Sequence, residues 1–134
     1  MLVLLTMLAT ASLAHADIRP LLRNQGFDHP LNGRETIKYV GHIAQGRNDF
    51  QIYTYDGVFR AAVVDHGVSR LIVILNGSVF VGEYTSSLPT RCKVRGQEVV
   101  CDAGVIAFTP RGPPREAFFD GDIQEIEFGD KLKK

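Results

Sequence analysis

The dipeptide Asn76-Gly77 between two apolar runs restricts the fold of this chain more than any other feature. Residues 70–75 (RLIVIL) precede it and residues 78–84 (SVFVGEY) follow it. A two-residue type I′ turn needs a positive φ at both central positions, which Asn-Gly adopts at little cost. Because both faces of the hairpin are apolar near the turn, we expect it at the centre of the core. The turn predicts these facing pairs: Ile72 with Val81, Val73 with Phe80, and Arg70 with Glu83.

A second dipeptide, Asp56-Gly57, predicts another hairpin, between residues 49–55 and 58–64. One face of this hairpin would carry the apolar residues Phe50, Ile52, Phe59, Ala61 and Val63. The opposite face would carry Tyr53, Tyr55 and Arg60, in which two phenols flank a guanidinium. Exposed aromatic and arginine side chains are enriched in binding hot spots, so we predict a binding surface there. The alternative is that both tyrosines cover a second layer of the core.

The two cysteines predict a third hairpin, closed by Gly96-Gln97 in a type II′ turn. Counting outward from this turn places Cys92 directly opposite Cys101, in a pair without backbone hydrogen bonds, where the Cα atoms lie ~4.5 Å apart. That distance permits a disulfide. A redox-active pair is the alternative, but the CxxC spacing that lowers a thiol pKa is missing. The bridge is therefore predicted to be structural.

The rest of the chain predicts short strands and little helix. The 13 Gly and 6 Pro are spread along the sequence, which is typical of many short strands. Further strands are expected over residues 36–45, 105–109 and 123–128, while prolines and glycines limit any helix in residues 17–35 to a turn or two near Leu21. The predicted fold is all-β: a single compact antiparallel meander of eight or nine strands, closing as a small barrel or sandwich and held by one cross-strand disulfide.

Residues 1–16 predict a cleaved signal peptide. Residues 2–13 are almost entirely apolar, and residues 14–16 (AHA) satisfy the A-x-A cleavage rule. The run is shorter than the ~20 residues that span a bilayer. The usual positive charge before the apolar run is missing, so a buried N-terminal element and a membrane anchor are the alternatives. We expect a periplasmic or secreted protein without stable membrane insertion after cleavage, made of an N-terminal extended segment (17–35), an all-β domain (36–130) and a basic tail (131–134).

The net charge and the spacing of the histidines restrict the classes of function that this chain can have. With 15 basic and 15 acidic residues the formal net charge is zero, which argues against a nucleic-acid partner. His29, His42 and His66 show no metal-ligand spacing, so neither metal nor cofactor is predicted. Residues 65–69 (DHGVS) contain the residue types of a hydrolytic triad, yet neighbours along a strand point to opposite faces. A calcium site at residues 120–127 is a weaker alternative to a simple turn, because the full twelve-residue loop is absent.

The loop of residues 109–115 (TPRGPPR) is the second predicted binding element. Its prolines stiffen the chain, so Arg111 and Arg115 could present their guanidinium groups to an anion or a protein at low entropic cost. We therefore expect a small protein that binds an unidentified protein or small-molecule ligand, such as an inhibitor or accessory protein, rather than an enzyme. The alternatives are a hydrolase that uses His42 or His66 and a structural subunit of an envelope assembly. The residues Asn76-Gly77-Ser78 also match the N-glycosylation sequon, but their place in the predicted turn already explains them.

Overall fold

The computed structural model describes residues 17–61 and 63–133, without the side chains of residues 59–61 and 64. The predicted leader, residues 1–16, and the last residue of the predicted tail, Lys134, lie outside the described residues. Within the described residues, no helix combines the length and the apolarity needed to cross a bilayer.

The described chain is mostly β and forms two antiparallel sheets. The first sheet has the order β1-β2-β3-β4-β10 and the second has the order β5-β6-β7-β8-β9. The all-β prediction is therefore confirmed, and neighbouring strands in each sheet largely follow chain order. The elements are α1 Arg19–Asn24, β1 Thr36–Gln45, β2 Asn48–Ala61, β3 Val64–Leu75, β4 Val79–Ser86, β5 Cys92–Arg95, β6 Glu98–Cys101, β7 Gly104–Ala107, β8 Glu116–Phe119, β9 Asp122–Glu125, β10 Glu127–Phe128 and a 3-10 turn, Asp130–Leu132.

The strands predicted outside the hairpins are found with one change. The bounds of β1 agree with the prediction, and β7 lies within a residue or two of the predicted segment 105–109. The predicted strand 123–128 divides at Ile126, so that β9 ends the second sheet and β10 pairs with β4 of the first. The six-residue helix α1 fits the expected turn or two near Leu21. Strand β8 was not predicted.

The predicted hairpin at Asp56-Gly57 is wrong. Strand β2 runs straight through this dipeptide, and the chain reverses only after Ala61, which pairs with Val64. Gly57 serves a different purpose, because a Cβ placed there would lie 2.2 Å from the hydroxyl oxygen of Tyr55. The glycine makes room for an aromatic side chain on the same face of the strand. It does not make a turn.

The turn at Asn76-Gly77 is confirmed, but the predicted register is wrong. Asn76 has a φ of 50° and Gly77 a φ of 70°, and the N–H of Ser78 donates to the carbonyl of Leu75 across 3.0 Å. Ser78 is then an extra residue, and a second irregularity follows at Val81. Two inserted residues shift the strands in a way that the turn alone cannot reveal. The observed pairs are Ile72 with Glu83, Val73 with Gly82, and Arg70 with Thr85.

The disulfide hairpin agrees with its prediction. Strands β5 and β6 pair Cys92 with Cys101, whose Cα atoms lie 4.0 Å apart, and the sulfurs are bonded. Gly96 has the positive φ, 62°, that a type II′ turn requires at its first central residue. This bridge fixes the register at one edge of the second sheet.

Removing the bridge should lower stability measurably. The Cys92→Ala/Cys101→Ala variant is expected to lose somewhat less than ~3 kcal/mol of unfolding free energy, because the bonded loop is short. Urea denaturation of the variant and of the wild type, each with and without reductant, checks this result. An equal denaturation midpoint in all four samples would contradict a stabilising role.

Two apolar cores lie on the two faces of the first sheet. The first core joins both sheets through side chains such as Ile52, Leu71 and Phe119. The second core lies on the outer face of the first sheet, where residues of the N-terminal segment, among them Leu22 and Phe27, cover it. The first sheet is therefore buried on both faces, as expected for a central hairpin with two apolar faces. No described segment covers the outer face of the second sheet in this way.

Candidate functional site

The predicted aromatic binding surface is buried. Tyr53 is 7% exposed and Tyr55 is 0% exposed, and both belong to the core beneath the N-terminal segment. The hydroxyl of Tyr55 donates to the carbonyl of Pro30 across 2.5 Å. Burial, assisted by the charge of Glu35, raises the pKa of Tyr55 to about 12. The expectation that these two rings present an exposed surface is wrong, because residues far away in sequence cover them.

The third member of that predicted surface, Arg60, has its backbone in β2, paired with Asp65. Its side chain lies outside the described part of the structure. The two tyrosines therefore form no exposed site for it to join.

A buried ionic cluster lies under the N-terminal segment. Glu83 is 4% exposed, and its Oε2 lies 2.8 Å from Nε2 of His29 and 3.0 Å from Nε of Arg70. Arg70 also donates from Nη1 to the carbonyl of Ser69. The sequence prediction placed Arg70 beside Glu83, and the two meet diagonally across β3 and β4 although the register differs. The cluster joins the segment to the sheet.

A second ionic contact holds the segment to itself. Oε2 of Glu35 accepts from Nε of Arg19 at 2.7 Å, and its Oε1 accepts from the backbone N–H groups of Asn32 and Gly33. Burial alone would raise the pKa of Glu35, but these hydrogen bonds outweigh it and hold the pKa below its ordinary value. Glu35 therefore stays charged as a structural anchor for α1.

His42 and Ser69 give the hydrolase alternative no geometric support. Ser69 is 4% exposed and donates its hydroxyl to Asp56, while Nδ1 of His42 lies 2.6 Å from Asp49. The hydroxyl and the imidazole thus each have a carboxylate as partner and do not meet each other. Asp65 lies 3.8 Å from Arg34 in an exposed ion pair.

The acidic turn at residues 120–122 holds the residue that follows β4. Asp120 has a φ of 60°, and its carboxylate accepts hydrogen bonds from the backbone and the hydroxyl of Ser87. Among residues 17–61 and 63–133, no three His, Cys, Asp or Glu side chains gather as metal ligands. These contacts favour a turn over a calcium site.

Both predicted arginines of the proline-rich loop are exposed. Two backbone hydrogen bonds between Thr109 and Gly112 tighten the loop around Arg111, and Gly112 packs against Phe50. Arg115 lines a separate depression with three residues near the C-terminus: Phe128, Leu132 and Lys133. These contacts constrain the loop, but it does not bring the two arginines into one described site.

A cleft lies elsewhere, where the edges of the two sheets meet. This edge groove has a volume of about 530 Å³, and its polar lining combines two cations, Lys38 and Arg91, with two carboxylates, Asp56 and Asp102. Tyr39 and the disulfide residue Cys92 also line it. A concave site with a few convergent polar groups is the usual form of a binding pocket.

Two edge strands create the groove. β1 ends the first sheet and β5 ends the second, and they touch where a Cβ on Gly41 would lie 2.9 Å from Val94. Toward the start of both strands the edges leave a gap, beside an irregularity in β1 at Val40. Bulges are common on edge strands next to functional sites.

The backbone of β5 faces this groove. The N–H of Asp102 donates to the carbonyl of Arg91 across 3.0 Å, so this pair is hydrogen-bonded. The next pair in an antiparallel ladder is not, which directs the N–H and C=O of Cys92 away from β6. Because Cys92 lines the groove, these backbone groups are available to a strand laid along it.

The cations of the groove are accessible, whereas its carboxylates already accept hydrogen bonds within the chain: Asp56 from the hydroxyl of Ser69 and Asp102 from the backbone N–H of Arg91. The side chains of Lys38 and Arg91 are exposed, and no ion pair joins either to a described side chain. Burial, with the charge of Asp49, raises the pKa of Tyr39, so its phenol stays protonated. Extending the predicted cysteine hairpin by one pair beyond Cys92 and Cys101 would place Arg91 opposite Asp102, where the structure has it. The sequence therefore carried a signal for half of the groove that sequence reasoning did not use.

Comparison of the chain with protein-family models, curated proteins and solved structures finds no match.

Proposed function

We propose that this chain is a small secreted or periplasmic binding protein whose two sheets pack face to face as a sandwich, and that its edge groove binds an extended peptide segment of a partner protein without covalent chemistry. The single observation that carries the proposal is the edge groove itself. It combines an outward-facing strand backbone at Cys92 with cations and carboxylates on its walls. The disulfide fits an oxidising compartment.

An extended peptide suits this geometry because a sheet edge supplies main-chain hydrogen bonds to an added strand. The N–H and C=O of Cys92 would pair with one residue of the peptide. Pairs of opposite charge then distinguish sequences, since Lys38 and Arg91 favour acidic side chains and Asp56 and Asp102 favour basic ones. The disulfide holds the receiving strand in place, so little ordering is needed on binding.

The test begins with a random-peptide phage library panned against the purified protein. Selected peptides should bind the Lys38→Ala/Arg91→Ala variant at least several-fold more weakly, as measured by fluorescence polarisation. The matched control is Arg23→Ala/Arg111→Ala, which removes two exposed cations that do not line the groove. Equal weakening by both double variants would argue against the groove.

Backbone pairing is tested separately with N-methylated peptides. Methylation of the one residue that pairs with Cys92 removes a donor, so it should abolish measurable binding, whereas methylation of its neighbours should have little effect. Uniform tolerance of methylation along the peptide would reject β-strand addition and leave binding by side chains alone.

A further inference from the structure

A depression near the C-terminus combines two cations with an apolar floor. Its volume is about 470 Å³, and its lining residues are Arg115, Phe128, Leu132 and Lys133. The volume lies within the ~300–1,000 Å³ that is typical of small-molecule pockets. None of these four residues lines the edge groove, so the C-terminal depression is a separate site.

The backbone holds Arg115 in place on one side of the depression. Its carbonyl accepts a hydrogen bond from the N–H of Ile126 across 2.8 Å. The carbonyl of the preceding residue, Pro114, accepts one from the hydroxyl of the buried Tyr84. Arg115 itself is exposed, and no hydrogen bond or ion pair with another described residue occupies its guanidinium. A positioned cation of this kind binds an anion with little loss of conformational freedom.

The 3-10 turn forms the other side of the depression. The N–H groups of Leu132 and Lys133 both donate to the carbonyl of Gly129. The N–H of Asp130 donates to the carbonyl of Gln25, which ties the turn to the N-terminal segment. Nζ of Lys133 lies 3.7 Å from the carboxylate of Asp130, and both side chains are more than half exposed. Such an exposed pair contributes little to stability, so the ammonium of Lys133 is available to a second anion.

The floor between the two cations is apolar. Phe128 pairs with Gly82 in the first sheet and packs against the first core, so its position is fixed. Leu132 is 40% exposed and extends the apolar surface toward the solvent. An apolar chain laid on this floor loses contact with water, which is favourable, and it also shields the neighbouring cations from water. Charge attraction is stronger where water is excluded.

We propose that the C-terminal depression binds a small organic carboxylate that carries an apolar chain. The carboxylate lies between the guanidinium of Arg115 and the ammonium of Lys133, and the chain lies on Phe128 and Leu132. A guanidinium can bind both oxygens of a carboxylate at once, which fixes the direction of the ligand. This site goes beyond the peptide binding proposed for the edge groove, and it requires no covalent step.

Titration of the ¹⁵N-labelled protein with octanoate, followed by NMR, tests the proposal. Octanoate should shift the amide signals of residues 115 and 128–133, and the shifts should saturate. Acetate has the carboxylate without the chain and octanol has the chain without the charge, so each should bind several-fold more weakly. Absence of saturable shifts at these residues with octanoate would overturn the proposal. An equal response to octanol would reject the role of the cations.

Charge removal tests the two cations separately. Arg115→Ala and Lys133→Ala should each raise the octanoate dissociation constant several-fold, because each removes one partner of the carboxylate. The matched controls are Arg111→Ala in the same loop and Lys131→Ala in the same turn, which remove exposed cations that do not line the depression. Equal weakening by the variants and their controls would show a general attraction to basic residues and would reject a defined site.

The apolar floor is tested with Leu132→Ala. This variant should weaken octanoate binding and leave the weak binding of acetate unchanged, since only the chain contacts Leu132. Leu88→Ala is the control, because Leu88 is 72% exposed and lies outside the depression. An unchanged octanoate affinity in Leu132→Ala would contradict the placement of the chain. Peptide binding at the edge groove should be the same in all these variants, so the two sites can fail independently.

Discussion

Replacing Glu83 with alanine will lower the free energy of unfolding by about 3–5 kcal/mol. Glu83 is nearly inaccessible and contacts His29 and Arg70, so its loss leaves the mostly buried guanidinium of Arg70, whose side chain is 17% exposed, without its ion-pair partner. Burying an unpaired charge is costly because the protein interior solvates a charge much less well than water does. Urea denaturation of the variant measures the change.

The matched control for this prediction is Glu127→Ala. Glu127 is the exposed cross-strand neighbour of Glu83 on β10, and it should change the unfolding free energy by less than about 0.5 kcal/mol. If Glu83→Ala is too unstable to purify, Glu83→Gln keeps the shape and removes the charge, and a loss is still expected. Equal stability of Glu83→Gln and the wild type would show that the cluster does not stabilise the fold.

Leu22→Ala will cost about 2–5 kcal/mol of unfolding free energy. Leu22 lies on α1, is 0% exposed and packs in the second core with Phe27, Tyr55 and Phe80. Removing its side chain leaves a cavity between the N-terminal segment and the first sheet. The expected loss therefore means that residues 17–35 form part of the cooperative fold.

Leu21→Ala is the control, since it makes the same chemical change at a neighbouring residue that is only half-buried. It should cost clearly less than Leu22→Ala in the same urea series. If both variants lose under about 1 kcal/mol, the segment is a loosely attached strap, and the first sheet is stable without it.

The positions of the turns could be predicted from adjacent residues, but the register of the strands beyond them could be predicted only where the ladder is regular. The Gly96-Gln97 loop leaves no inserted residue between the turn and Cys92, so counting from the turn gave the correct register. At Asn76-Gly77 the turn was correct, but the inserted residues Ser78 and Val81 shifted the strands. A turn determines a register only as far as the ladder stays regular.

Site prediction failed where burial depends on distant residues. Tyr53 and Tyr55 alternate with Ile52 as the residues of an exposed face would, but α1 and Phe27 cover them. The edge groove needs two strands, β1 and β5, that are far apart in sequence. Neither the covering of the tyrosines nor the meeting of β1 and β5 leaves a pattern in a short stretch of sequence.

The sequence by itself determined the all-β class, the disulfide pair and the turns at Asn76-Gly77 and Gly96-Gln97, because each depends on the backbone preferences of a few adjacent residues. Only the tertiary structure decided that Gly57 accommodates Tyr55 in a continuous strand, that Tyr53 and Tyr55 lie in the core, and that the edge groove and the outer face of the second sheet are open. These outcomes depend on which surfaces meet. The free energy of burial depends on contacts between segments that are far apart in sequence, so a short stretch of sequence does not determine it.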